Sequence, residues 1–312
     1  LFLLPTLIQL LLKQVAALVA KAVKAATDAK VAKVAKVAMA AKVVAAAAVA
    51  NIFKGSGNAS FFFQRVFMSE FSLPYLSKTK QSRLLAYASQ ILEAQQQMTT
   101  AKGKNIIHYT LQKKRRHESM SHYPKGDRID RQTGAQYFYH CHREDYESME
   151  HGHFHCFLRY KGIPAKITPT PLSDWDKNMD NPMTHIVAIS MNCLGQPIRL
   201  FTVNRWVSSE IWYDAKHVSS FIKKYEMTLE DDPYWMILDQ WVEGMLHLFE
   251  PQIIWLHQER DKQIARIKAE DPESNPYEDH RYEELSYIDI DLSSQVQWVL
   301  NAINQSETPA EV

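Results

Sequence analysis

Five histidines fall within sixteen residues, as His140-x-His142 and His151-x-His153-x-His155 in the stretch HCHREDYESMEHGHFH. Imidazole is the commonest metal ligand and the side chain whose charge changes nearest to neutral pH. Residues two apart on a β-strand leave the same face about 7 Å apart along it. Two such strands side by side converge several ring nitrogens on one point. Imidazoles with an added carboxylate suit zinc, iron, copper or manganese; they do not suit calcium or magnesium, which take oxygen ligands. Glu147 and Glu150 before the second cluster, and His185 further along, are placed to complete such a shell. The candidate metal residues are therefore His140, His142, His151, His153, His155, Glu150 and His185, of which adjacent ones cannot all bind one ion.

Other chemistry fits the same residues. Gly134, His140, His142 and Glu147 follow the spacing of the first cupin motif, but the later glycine of that motif is displaced to Gly152. HGHFHCF resembles the histidine-triad nucleotide hydrolase pattern, in which the middle histidine, here His153, is the nucleophile. Gly152 departs from that pattern, where a bulky apolar residue is expected. A third reading is structural: imidazoles on a half-buried sheet bond one another, carboxylates and tyrosines, and stack on phenylalanines.

Alternation of period two around these histidines predicts the elements that carry them. AQYFYHCH and HGHFHCFLRY read as strands joined by the charged loop Arg143 to Glu150. Strict alternation puts Phe138, His140, His142, His151, His153, His155 and Phe157 on one face. Tyr137, Tyr139, Cys141, Phe154, Cys156 and Leu158 fall on the other, the natural core face. The matching register pairs His140 with His153 and His142 with His151. A second hairpin is predicted near 184–192 and 197–206, turning at Leu194–Gly195–Gln196. The proline-rich stretch between the hairpins is irregular.

Helices flank this sheet. Residues 77–102 carry apolar positions at spacings of three and four behind Ser77, a candidate N-cap. Asp232-Pro233 and Pro251 open two further helices, whose tryptophans read as packing against the sheet. The fold class expected is α+β, a four-stranded antiparallel sheet backed by helices from both ends of the chain. The domain boundaries expected are a helical segment over 1–53, a linker over 54–76, the histidine-rich body over 77–270 and an acidic C-terminal extension over 271–312.

Residues 1–50 are built almost wholly of Ala, Val, Leu and Lys, with Asp28 the only acid. Their uncharged run ends at Lys13, short of the roughly eighteen residues that mark a membrane span. They are expected to contact a membrane or a partner protein, and the alternative to a ligand site is an accessory subunit docked through them. The net charge of +1 gives no bulk attraction to nucleic acid, and no such partner is expected from the Lys113 to Arg116 run, which lacks an aromatic platform. Three cysteines argue against a disulfide framework and for a reducing, cytoplasmic setting, with membrane association through the first fifty residues as a variant.

The longer run HYPKGDRIDRQTGAQYFYHCHREDYESMEHGHFHCFLRY, followed by THIVAISMNCLGQPIRLFTVNRW, resembles a bacterial family described as domain of unknown function 6969. The resemblance spans about residues 80–260 and implies no activity. It carries His122, Tyr123, Pro124, Gly126 and Asp127 to the candidate site. With them come His140, His142, Glu150, His151, His153, His155, His185, Asn204, Arg205 and Trp206. Arg205 and His122 are expected to grip an anionic ligand nearby, and Asp127 is expected among the ligand-binding residues with them.

Overall fold

In a computed structural model of the chain, residues 70–100, 105–112, 118–141, 150–172 and 182–307 are described. The expectations for residues 1–53, the basic run Lys113 to Arg116, Glu147 and His142 lie outside these residues. Among them no helix is long and apolar enough to cross a membrane.

The expected α+β architecture is present, but the antiparallel sheet has six strands instead of four. In sheet order, which is also chain order, they are β1 (Tyr123–Ile129), β2 (Ala135–His140), β3 (Gly152–Arg159), β4 (Met183–Met191), β5 (Pro197–Val203) and β6 (Glu284–Asp289). The two additional strands are the edges. β1 carries Pro124, Gly126 at φ +83° and Asp127 at φ +62°, and its register against β2 shifts between Tyr123 and Arg128. These are turn-forming residues held in a bulged edge strand, where a missing N–H or a left-handed residue disturbs only one neighbour. β6 lies within the acidic span after residue 270 and pairs with β5 over Arg199 to Val203.

One face of the sheet is the main core. Tyr137, Tyr139, Cys141, Phe154, Cys156, Leu158, Val187 and Ile189 are fully buried there. Helix α1 (Lys78–Thr100) packs on a later helix, α5 (Pro233–Leu248), and the two present Leu84, Ile91, Leu238, Trp241 and Met245 to that core. Trp241 meets Phe154 with ring centroids 5.5 Å apart. The helices approach closely because Gly244 faces Ile91; a Cβ there would lie 2.7 Å from Ile91 Cγ1. Asp232 caps α5 by accepting the Tyr234 N–H, with Pro233 in the first turn, as the sequence indicates.

Helix α6 (Glu250–Glu270) crosses β5 and β6, and α7 (Leu292–Glu307) packs on α1. Three short α-helices, α2 (Ile106–Thr110), α3 (Arg205–Ser208) and α4 (Val218–Ile222), complete the described α-helices, beside three single turns of 3-10 helix. Leu76, in the span read as linker, is buried in the core, and β6 and α7 both come from the span read as an acidic extension.

Candidate metal centre

The register of the first hairpin is the one that alternation requires. His140 pairs with His153, Phe138 with His155 and Gln136 with Phe157. Phe138, His140, His153, His155 and Phe157 thus share the face opposite the main core, and all five are buried. One nitrogen from each of His140, His153 and His155 lies within 4.8 Å of the others. His140 Nε2 and His153 Nε2 are 2.8 Å apart. Two imidazoles bound tetrahedrally to one ion at 2.0–2.1 Å sit about 3.3 Å apart, so this pair would have to separate by only a few tenths of an ångström.

Each of two of these rings is held by a group on its far nitrogen. Glu150 Oε1 lies 2.5 Å from His153 Nδ1, while its other oxygen accepts the Ser190 hydroxyl at 2.5 Å. Burial pushes the Glu150 carboxyl up, but the hydrogen bond and charge of His153, the Ser190 hydroxyl and nearby Arg199 outweigh it and hold the group at about 2. An ionised Glu150 keeps the His153 proton on Nδ1 and turns Nε2 toward His140. In this arrangement Glu150 orients His153, and the converging group of three nitrogens does not include it.

His185 plays the matching part for His155. Its Nε2 is 3.1 Å from His155 Nδ1. Burial, followed by the charges of Arg260 and His153, drives the His185 imidazole down to about 3, so it is neutral at physiological pH. A neutral His185 accepts the His155 Nδ1–H, which leaves Nε2 as the candidate ligand nitrogen of His155. His185 reaches this face only through a β-bulge. Ala188 and Ser190 oppose His155 and His153 in phase, but the register slips between Cys156 and Phe157, and Ile186 turns into the main core. One inserted residue returns His185 to the histidine face.

His151 is placed differently from the expectation. It precedes β3, its N–H donates to the Met191 carbonyl, and its Nδ1 lies 2.7 Å from the Tyr139 hydroxyl on the core face. Strict alternation fails because the strand begins one residue later, at Gly152. A Cβ on Gly152 would stand 2.4 Å from the His140 carbonyl oxygen and 2.6 Å from the Tyr139 hydroxyl. Glycine therefore stands at this position because the two strands close on it, which explains the departure from the histidine-triad pattern.

Of the residues expected to hold a ligand, two adjoin the cluster. His122 stacks on Phe138 with centroids 3.7 Å apart and lies edge-on to His140 at 5.9 Å. Its Nδ1 is 2.7 Å from Asp127 Oδ1; Gln136 donates to the other Asp127 oxygen at 2.8 Å, and Arg159 donates to Gln136 at 2.6 Å. Arg205 is placed elsewhere. It is buried, donates to the Glu210 carbonyl at 3.1 Å and pairs with Glu278, at the edge of a cleft of about 680 Å³ lined also by Trp212, Asp261 and Tyr277. Asn204 caps α3, and Trp206 stacks on His280.

Sequence reasoning passed over Ser190, Phe201 and Arg199. Phe201 closes edge-on against His153 at 5.1 Å, and the Arg199 guanidinium lies over the rings of Phe201 and Tyr287. Ser190 is in phase with the histidines once β4 is aligned on β3, a signal already present in the alternation. Phe201 requires the β4–β5 register as well.

Glu210 lies just behind the cluster. Its carboxylate accepts the His185 N–H at 2.7 Å and the Thr184 hydroxyl at 3.0 Å. Burial raises the carboxyl to about 7 against the Arg260 charge and these hydrogen bonds. A folded-state value above the ordinary carboxylate range means that the native state holds this proton more tightly than the unfolded chain. Stability from this group is full below about pH 4.5 and declines as pH rises through about 7, by up to about 3 kcal/mol. Glu210→Gln is expected to remove that component, read as a flatter urea midpoint between pH 5 and pH 8.

Comparison with curated proteins found no match, and comparison with solved structures found none. The family comparison lends no support to the cupin-like or histidine-triad-like spacings. It matches residues 85–290, more than half of the 312-residue chain, which contain all six strands and every histidine of the cluster. The chain belongs to the domain of unknown function family DUF6969.

Proposed function

We propose that the protein binds one divalent transition metal ion through His140, His153 and His155. The observation that carries this reading is the oriented triad: three buried imidazoles with nitrogens within 4.8 Å, two of them fixed on the far nitrogen by Glu150 and His185. Hydrogen bonding of a ligand imidazole to a carboxylate is the usual outer support of a metal site. Three neutral imidazoles without a carboxylate ligand favour zinc or copper, admit iron, and favour manganese least. When bound, such an ion supplies Lewis acidity at the coordination position that the three imidazoles leave open. The residues of the chain orient the rings and shield them from water with Phe138, Phe157 and Phe201.

Elemental analysis of the purified protein tests the reading directly. About one equivalent of zinc, copper or iron per chain is expected, and a chain that takes up none in a metal-replete buffer sinks it. The orienting role of Glu150 is tested separately. Glu150→Gln keeps the shape but loses the charge, and is expected to weaken metal affinity roughly 10- to 100-fold, in the range seen for outer-shell partners. Ser190→Ala should act in the same direction by a smaller factor, measured by competition with a chromogenic chelator.

A further inference from the structure

The three ligand histidines are buried, so an ion needs a way in. Near them, at the surface, stands His122, whose side chain is 41 % exposed. Its ring lies flat on Phe138, 3.7 Å away and within 7° of parallel, and Phe138 in turn packs against His140 and His155 at 5.4 and 5.2 Å. Asp127, itself mostly buried, holds His122 by Nδ1, and Gln136 and Arg159 hold Asp127 in place. The remaining nitrogen, Nε2, makes no hydrogen bond with a described residue. A fixed imidazole with a carboxylate behind one nitrogen and the other nitrogen left for a ligand is the arrangement of a metal-binding histidine. Here it stands at the surface, its ring centroid 5.9 Å from that of His140.

We infer that His122 is a loading site, which takes a divalent transition metal ion from solvent and passes it across the edge of Phe138 to His140 and the buried triad. This rests on the metal-binding reading of the triad. An ion held by His122 would reach the triad by exchange of one imidazole for another, with His140 taking the place of His122 and the proton that His140 shares with His153 passing to solvent. A residue that assists transfer without remaining bound speeds arrival and departure alike and leaves the equilibrium untouched.

The test uses the full chain freed of metal and cobalt(II), whose absorption reports imidazole coordination, in a stopped-flow instrument. Release is followed by adding excess chelator. His122→Phe keeps a ring stacked on Phe138 but has no ligand nitrogen. It is expected to slow both cobalt uptake and cobalt release by roughly tenfold, the low end of the range over which on-rates vary among variants of one site. The dissociation constant should stay within a factor of two. Asp127→Asn, which leaves the ring and removes the charge behind it, should slow both rates less. Uptake and release at unaltered rates in both variants would overturn the inference while leaving the triad standing. Faster release with weaker binding would overturn it too, because His122 would then hold the resident ion. An unaltered chain that binds no cobalt or zinc removes the metal reading and this inference together.

Discussion

His153→Ala is expected to abolish metal binding and, with it, the stabilisation that the metal confers. His153 is the hub of the site, since Glu150 holds its Nδ1 and its Nε2 lies 2.8 Å from His140. Removing its ring takes away one of three ligands and leaves the Glu150 carboxylate without the imidazole that offsets its burial. An ion present at 1,000 times its dissociation constant stabilises the folded state by about 4 kcal/mol. In a domain of this size that corresponds to a melting temperature roughly 10 °C higher with metal than without. Differential scanning fluorimetry with and without zinc should show this increment in the unaltered chain and none in His153→Ala. An equal increment in both proteins would place the metal away from the triad. The increment should also shrink as pH falls, because the proton and the ion compete for the same nitrogens.

Arg128→Ala is expected to be the most destabilising single change outside the main core. Arg128 lies on β1 and is buried. It makes a two-pronged contact with Asp239 of α5, at 3.0 and 2.8 Å, and another with Asp231, at 2.7 Å on each prong. Tyr137 adds a hydrogen bond to Asp239 at 2.8 Å. Removing the guanidinium strands the Asp239 carboxylate, which has a 3 % exposed side chain, without its cation. Breaking a buried pair in this way costs about 3–5 kcal/mol, which is about 10 °C of melting temperature here. Replacing both partners, Arg128→Met with Asp239→Leu, should recover much of that loss, because no charge is then left buried. Asp231→Ala, which removes the exposed partner, should cost under about 1 kcal/mol. If Arg128→Ala and Asp231→Ala cost the same, the pair with Asp239 does not hold β1 to the helical layer.

The two predictions meet on β1. The Arg128 network ties this edge strand to α5, and the same strand carries Asp127, which fixes His122 against Phe138. Anchoring the edge thus also positions the exposed histidine beside the triad. Arg205, in contrast, was expected beside the metal because NRW recurs in the family pattern. Its guanidinium instead joins the α3 turn to Glu278.

The hairpin and its two faces were legible in the amino-acid order alone. Side chains on a strand alternate by backbone geometry, so Tyr137, Tyr139, Phe154 and Cys156 had to face away from His140, His153 and His155 once both segments were strands. The long motifs also sufficed to place the chain in its family. Other features depended on partners distant in sequence. The edge strand β1, with Pro124, Gly126 and Asp127, lacks the usual strand composition and pairs along the open hydrogen-bonding row of β2, while β6 carries Leu285, Tyr287 and Ile288 inside an acidic span and pairs along that of β5. His151 leaves the cluster because β3 begins at Gly152, where His140 and Tyr139 crowd the backbone, and His185 joins it because a bulge at Ile186 shifts the phase of β4. Glu150 bonds His153 with one oxygen while Ser190, forty residues later, holds the other. Alternation is a local property of the chain and can be read residue by residue. Register, bulges and the far nitrogen of each imidazole are set by whichever strand lies alongside, and only the folded sheet decides that.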